Sequence, residues 1–405
     1  MKKALVIGFG VSGQAAAEFL LQKGYEVVCA DKVKKTCHLP VEPVSDAQEF
    51  CDWDFDLAVL SPGVPSNHPL ALQAKRRQTE LIGELELGCR DLQQPCIGIT
   101  GTNGKTTVTS LICHILNKNG QKAKALGNIG IPLTKYLLNA DSQETLVLEL
   151  SSFQIETMQS KCLDFAAILN ITPDHLDRYP SFIDYGKVKC RIGDFLKPKG
   201  TLFLSDDVMQ YFHPFVKNFP SQLIPETFST SHDNIHPINL SAAFLICKNF
   251  GISMEAFTNA LKTFKKPLHR LQFIKKIQGI AFYNDSKATN LDSVIQAVNC
   301  LEKNIWLLAG GSDKGASFAP WISSFRNKVK GLFVFGQTAG KIQEELGKEY
   351  PVTITKDLAE ALHKAFGNAR PGEKILLSPG CASYDQFKNF EHRGEVFQRE
   401  VERLL

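Results

Sequence analysis

Three times along this chain a short apolar run stops at a glycine- or polar-rich turn and gives way to a helical pattern, a rhythm that few folds accommodate. "KALVIGFGVSGQAAAEFLLQKG" (3–24) opens the chain in this way, and "CIGITGTNGKTTVTSLICHILNKNG" (96–120) repeats it. A third start, "GIAFYNDSKATN" (279–290), follows Lys265-Lys266-Pro267. Further apolar runs at 25–31, 57–65, 145–152, 165–172, 305–315, 331–336 and 374–383 end at turns of the same kind. Such alternation predicts parallel sheets covered by helices, an α/β fold. At 405 residues the chain exceeds one core, because about 150 residues make a domain. The restarts place boundaries near 93 and 266, giving domains 1–93, 94–266 and 267–405.

Composition narrows the function classes. The net charge of +4 is spread without a basic block, so neither nucleic acid nor a membrane surface is an expected partner. Two lysines and an apolar run open the chain, but Gly8 and Gly10 interrupt the run too early for a signal peptide. No run approaches the roughly 20 apolar residues that span a bilayer. The eleven cysteines are scattered without a C-x-x-C pair, which predicts reduced, mostly buried thiols and a cytoplasmic address.

The motifs favour nucleotides. "GFGVSG" (8–13) fits G-x-G-x-x-G after a strand, with Asp31 closing the next strand. It suits NAD or any nucleotide diphosphate at a helix N-terminus. "GITGTNGKTT" (98–107) ends like a P-loop, although Ile99 stands where the usual pattern has its first glycine. Gly101 and Gly104 supply unusual backbone angles, Lys105 suits β/γ-phosphates, and the Thr106 hydroxyl suits Mg²⁺. Glu149 ends the run at 145–152 and is either a second metal-binding carboxylate or an ion-paired one. "NITPDHLDRYP" (170–180) sets His175 among Asp174, Asp177 and Arg178 behind another strand, a pattern that favours a metal role. Lys187 and Lys189 follow on a helical stretch, where an exposed face is the plain alternative. Polar loops at 283–290, 310–315 and 378–387 are placed to line one crevice at the carboxyl ends of a parallel sheet, and their lysines favour an anionic ligand.

Taken in order, "GITGTNGKTT", "ELSSFQIE" (149–156), "NITPDHLDRYP", "HR" (269–270) and "NDSKATN" (284–290) resemble the Mur ligase family, ATP-dependent amino-acid ligases of peptidoglycan synthesis. The resemblance spans the chain. It implies a Rossmann-like N-terminal domain, a central P-loop mononucleotide-binding domain and a Rossmann-like C-terminal domain. The tail "SPGCASYDQFKNFEHRG" (378–394) is most similar to the members that add D-glutamate.

The resemblance also implies roles. The N-terminal turn then holds a uridine diphosphate sugar, UDP-N-acetylmuramoyl-L-alanine, through Val11, Ser12, Asp31 and Gly63, with Asn128 as a further contact. ATP falls to Gly101, Thr102, Asn103, Gly104, Lys105, Thr106 and Thr107, with Asn239, His269, Arg270, Asp285 and Lys287 around the adenosine and phosphates. In "NIHPIN" (234–239), His236 replaces the first asparagine of the usual adenine-contacting H-N-x-x-N. Thr106 and Glu149 match ligands of one Mg²⁺. His175 matches a ligand of the second, with Lys189 as a carbamylated lysine and Lys187 as its competitor. Thr289, Lys314, Ser383 and Phe390 match positions around D-glutamate. The implied catalytic set is Lys105, His175, Lys189 and Lys287, and a monomer is expected. Three other readings compete: another ligase of the same superfamily, for example one acting on folate, an NAD(P)-dependent oxidoreductase using 8–13, and a non-catalytic P-loop ATPase or sensor indifferent to amino acids.

Overall fold

The computed structural model describes residues 1–32, 38–47, 50, 52–176, 178–228 and 235–404. Asp177 of the His175 motif and Asn234 lie outside the described residues. The chain divides into two compact units. One comprises Met1–Ile171 with Gly186–Phe264, the other Thr172–Tyr185 with Lys265–Leu405.

The first unit holds two parallel sheets. β1 (Lys3–Ile7), β2 (Glu26–Asp31), β3 (Glu42–Ser45), β4 (Leu57–Leu60) and β5 (Glu80–Gly83) are ordered β3-β2-β1-β4-β5. β1 is buried on both faces, which is why it reads as an unbroken apolar run. Ala4 and Val6 enter one hydrophobic cluster, Leu5 and Ile7 the other. The order reverses beside β1, so the turn after it opens at a switch point, where α/β ligands bind.

β6 (Cys96–Thr100), β7 (Ala123–Gly127), β8 (Thr145–Glu149), β9 (Leu163–Ile168), β10 (Leu196–Leu204) and β11 (Ser221–Leu223) form the second sheet, ordered β11-β10-β9-β6-β8-β7. Its switch point is β6. Ile97 and Ile99 of β6 pack with Val108, Leu111, Ile112 and Ile115 of the helix Lys105–Lys118. Between the two sheets the short helix Glu84–Cys89 is wholly buried. Its two carboxylates are fastened: Glu84 accepts from the Thr134 N–H (2.8 Å) and hydroxyl (2.6 Å), and Glu86 from Gln159 N–H (2.8 Å) and Ser160 N–H (2.9 Å).

The second unit carries β12 (Gln272–Ile277), β13 (Ile280–Asn284), β14 (Ile305–Gly310), β15 (Val329–Phe335), β16 (Val352–Ile354) and β17 (Lys374–Leu377), ordered β12-β13-β17-β14-β15-β16. Only β12 runs antiparallel to its neighbour. The last strand in sequence inserts between β13 and β14, so the loops after these three open side by side.

Some elements are shorter than the apolar runs suggest. The run at 165–172 leaves the sheet after Ile168, and that at 145–152 stops at Glu149, where Ser151 caps a one-turn helix in a capping box. The stretch 185–196 is the end of the helix Phe182–Cys190, a 3₁₀ turn at Arg191–Phe195 and the first residue of β10. Of the nine described cysteines eight are buried and Cys300 is exposed.

Candidate functional site

The P-loop grows out of β6. Ile99 is fully buried and paired in the ladder with Glu149 on one side and Ala167 on the other. It is a strand residue of the core, so the loop's first glycine is Gly101. Gly101 takes φ +150° and Gly104 φ +86°. A Cβ on Gly104 would come 2.5 Å from Asn239 Oδ1, so Asn239 lies directly against the loop. Gly104 precedes the helix Lys105–Lys118 and offers no side-chain cap. The first-turn amides therefore point at the loop, the usual basis of anion binding at a helix start.

Two lysines converge on one carbonyl. Lys105 Nζ donates to Gly101 O (2.7 Å) and Thr102 O (2.9 Å). Lys189, 1% exposed, donates to the same Gly101 O at 2.9 Å. Lys187, two residues earlier on the helix, is exposed, its amine 5.6 Å from the centroid of the Phe215 ring. Glu149 is buried at the end of β8, next to β6, and its Oε1 accepts from Asn128 Nδ2 at 2.8 Å. Thr106 and Thr107 are buried in the first helical turn. His236 stands at the N-cap of the helix Pro237–Asn249. The first unit thus gathers the loop, Asn128, Glu149, Lys189 and Asn239.

At the N-terminal turn, Gly8 takes φ +89° and a Cβ on Gly13 would meet Gly8 O at 2.0 Å. Gly10, at the start of the helix Val11–Gln22, faces open space. Asp31 Oδ2 accepts the Phe9 N–H (2.7 Å), so this carboxylate braces the turn. Val11 and Gly63 are exposed and Ser12 is half-buried.

In the second unit Asp174 is the organising charge. It accepts from Lys314 Nζ (3.1 Å), Asn290 Nδ2 (3.3 Å) and the His175 N–H (2.9 Å). Burial alone would raise its carboxyl, but Lys314 and His175 hold it below the usual range. These residues line a concavity with Phe318 and Cys381. His175 takes φ +55°, a backbone rarely adopted outside glycine.

Asp285, after β13, accepts from Leu271 N–H (3.0 Å) and Ser378 Oγ (2.8 Å), and burial pushes its carboxyl up to about 6. Asn284 Nδ2 contacts His269 Nδ1 at 3.0 Å, and burial lowers that imidazole. Lys287 Nζ sits 3.8 Å from the centroid of the Phe390 ring, a cation–π contact. Thr289 is half-buried in the same loop, and the Ser383 carbonyl accepts the Phe387 N–H at 2.9 Å. Arg270 is half-buried on the turn before β12.

Three groups in this geometry carry no role in the motif reading. Asn170 binds the P-loop backbone. Asn284 orients His269. Arg393, fully buried, joins three segments through Ser286 Oγ (3.0 Å), Ser286 O (2.8 Å) and Cys381 O (3.1 Å). Arg393 stands in the quoted tail, and Asn170 opens "NITPDHLDRYP", so both were visible as residues but not as contacts.

The Mur ligase MurD-like N-terminal domain matches residues 2–83, the Mur ligase middle domain 99–274, and the Mur ligase glutamate ligase domain 269–381. A UDP-N-acetylmuramoylalanine–D-glutamate ligase of Protochlamydia amoebophila is 45% identical, with 100% of this chain and 98% of that protein covered. The chain belongs to the Mur ligase family. A ligase of the same name from Chlamydia abortus is 34% identical over 99% of this chain and 97% of its own. Solved Mur ligases share the fold at low identity. The Thermotoga maritima UDP-N-acetylmuramate-alanine ligase MurC matches at TM-score 0.63 and 15% identity over the whole of both chains. The MurF ligase of the same organism, solved with ADP, matches at TM-score 0.63 and 16% identity, covering 100% of this chain and 96% of that one.

Within this family frame, the donor chemistry is informative. No cluster of three or more His, Cys, Asp or Glu side chains suited to a metal occurs among the described residues. A cation at the P-loop would draw on Thr106 and Glu149, hydroxyl and carboxylate oxygens of the kind that hard Mg²⁺ takes. Among the described residues no helix is long and apolar enough to cross a membrane.

Proposed function

We propose that this chain is the ADP-forming ligase that joins the alanyl carboxylate of UDP-N-acetylmuramoyl-L-alanine to the amine of D-glutamate, in cytoplasmic peptidoglycan precursor synthesis. The observation that carries the reading is the full-length likeness, at 45% identity, to the ligase of that name from Protochlamydia amoebophila. Residues 1–93 hold the UDP-sugar through Val11, Ser12, Asp31 and Gly63, helped by Asn128. Residues 94–266 hold ATP, and 267–405 hold D-glutamate, with the chain acting as a monomer.

The chemistry follows from what each group offers. A carboxylate is a poor acyl donor because oxide would have to leave. Attack of a carboxylate oxygen on the γ-phosphorus of ATP forms an O–P bond, releases ADP and leaves an acyl phosphate. The D-glutamate amine then attacks the carbonyl, inorganic phosphate leaves, and the nitrogen loses a proton. Lys105 and the amides of the first helical turn gather the phosphates, while Gly101, Thr102, Asn103, Gly104 and Thr107 shape the cradle. Asn239 and Arg270, with Asp285 and Lys287, fix the nucleotide. Lys314 pairs with a carboxylate of D-glutamate, and Thr289, Ser383 and Phe390 complete that site.

Thr106 and Glu149 would hold one Mg²⁺, and His175 with a carbamylated Lys189 a second. Bound Mg²⁺ supplies neutralisation of the facing phosphate and carboxylate charges. The position of Lys189 favours the carbamate. Its amine is buried beside the P-loop and shares the Gly101 carbonyl with Lys105. The neutral form is the one that attacks CO₂: an N–C bond forms, one N–H proton goes to solvent, and a carboxylate results.

The test is phosphate release from ATP with UDP-N-acetylmuramoyl-L-alanine, comparing D-glutamate, L-glutamate and diaminopimelate. Release that depends on D-glutamate is expected; indifference among the three sinks the assignment of the amine. For the carbamate, Lys189→Ala loses activity and regains part of it with added short carboxylates. Full activity without them removes Lys189 from the site.

A further inference from the structure

We infer that Asn170 is a positioning residue for nucleotide use, a two-sided clamp that holds the P-loop in its phosphate-binding shape. The inference rests on the reading of residues 101–107 as the ATP site. β9 ends at Ile168, and Leu169 makes one last ladder bond, its N–H donating to Thr100 O at 3.0 Å. Asn170 then leaves the sheet and turns onto the loop. Its carbonyl accepts the Thr102 N–H at 2.9 Å. Its Oδ1 accepts the Asn103 N–H at 2.8 Å, and its Nδ2 donates to Asn103 O at 3.1 Å. One residue therefore engages three backbone groups on two consecutive loop residues.

The chemistry selects an amide at this place. An N–H can only donate and a carbonyl can only accept, so the orientation of the Asn170 amide is dictated by Asn103. Aspartate keeps the acceptor but sets a carboxylate oxygen against the Asn103 carbonyl. Alanine loses both side-chain bonds. The loop needs such restraint because Gly101, at φ +150°, and Gly104, at φ +86°, leave its backbone with more freedom than other residues allow. The clamp also commits the Asn103 N–H to Asn170, so the phosphate-facing donors come from the rest of the loop and the first helical turn. Ordering the loop before ATP arrives lowers the entropy lost on binding. It also fixes the γ-phosphate for attack.

The experiment measures kinetics of the full chain for Asn170→Asp and Asn170→Ala with each substrate varied in turn. Thermal unfolding and binding of a fluorescent ATP analogue accompany it, and Lys105→Ala is the control. The expected result is a fall of about ten- to a hundredfold in kcat/KM for ATP, from the loss of two backbone-directed bonds in Asn170→Ala and, in Asn170→Asp, of one bond with a carboxylate oxygen set against the Asn103 carbonyl. KM for UDP-N-acetylmuramoyl-L-alanine and D-glutamate stays within about twofold in both variants. Unchanged ATP kinetics in both variants overturn the clamp. So does an equal loss toward all three substrates, or failure of the near-isosteric Asn170→Asp protein to fold, because either makes Asn170 a structural prop. If Lys105→Ala also uses ATP normally, the P-loop reading itself falls; if only the Asn170 variants are silent, that reading stands and the clamp alone fails.

Discussion

Arg393→Lys is the sharpest test of how the second unit is held together. The guanidinium is fully buried and spans two directions. Nε and one terminal nitrogen face Ser286, at 3.0 Å from Oγ and 2.8 Å from O, while the other faces Cys381 O at 3.1 Å and Ala382 O at 3.4 Å. Burial lowers its pKa to about 10, still far above neutrality, so the group is charged. Lysine puts its charge on one nitrogen and keeps only one side of this fork. Two bonds are lost, each charge-assisted and of order 1.5–3 kcal/mol, part of which the remaining contacts recover; a net loss of about 3 kcal/mol follows. With a urea slope of about 3 kcal/mol per molar, the midpoint falls by about 1 M. Trp306 and Trp321 report on this unit and Trp53 on the other, so fluorescence during urea unfolding separates the two. Ser286 lies between Asp285 and Lys287, and Cys381 lies two residues before Ser383. KM for ATP and D-glutamate therefore rises by about tenfold or more, while that for the UDP-sugar stays put. An unchanged urea midpoint together with unchanged D-glutamate KM would falsify the picture of Arg393 as the tie between these loops.

Restoring the glycine of the usual P-loop pattern, Ile99→Gly, weakens the protein by about 4 kcal/mol through lost core burial and added backbone freedom. It does not tighten nucleotide binding, as calorimetry with ADP will check. Gly10→Ala leaves the melting temperature unchanged, because nothing lies within 4 Å of the added Cβ. It raises KM for the UDP-sugar if a diphosphate approaches there, whereas Gly13→Ala, 2.0 Å from Gly8 O, lowers both stability and UDP-sugar binding; equal behaviour of the two variants counts against the assignment. For Asp285 the folded carboxyl sits near 6, above its unfolded value near 4. The folded state therefore binds more protons between these values, and stability that is full below about pH 4 declines by about 2–3 kcal/mol as pH rises through 6. Asp285→Asn flattens that part of the urea stability profile while reducing activity; a profile identical to that of the parent refutes the burial argument.

The layered fold was legible because parallel strands buried on both faces must be apolar throughout, and the turns that follow them need glycine. What the sequence concealed was the end of each strand and the partner of each polar group. In "FAAILNIT" β-branched residues continue past Asn170, at Ile171 and Thr172, so the apolar pattern does not announce that the ladder ends at Ile168. The ending is tertiary: Asn170 gives up the sheet to bind the backbone of Asn103. Arg393 was hidden by the opposite prejudice, since a charged residue on an amphipathic helix normally faces water. Here three carbonyls and a hydroxyl replace that water. The same distinction explains Ile99. A motif is written in sequence positions, but phosphate binding depends on backbone directions. Those directions are set where the strand ends, one residue after Ile99, and where Gly104 turns into the helix. Gly101, Gly104 and the Asn170 clamp can therefore shape the loop without a glycine at 99, whose side chain instead anchors the strand that carries it.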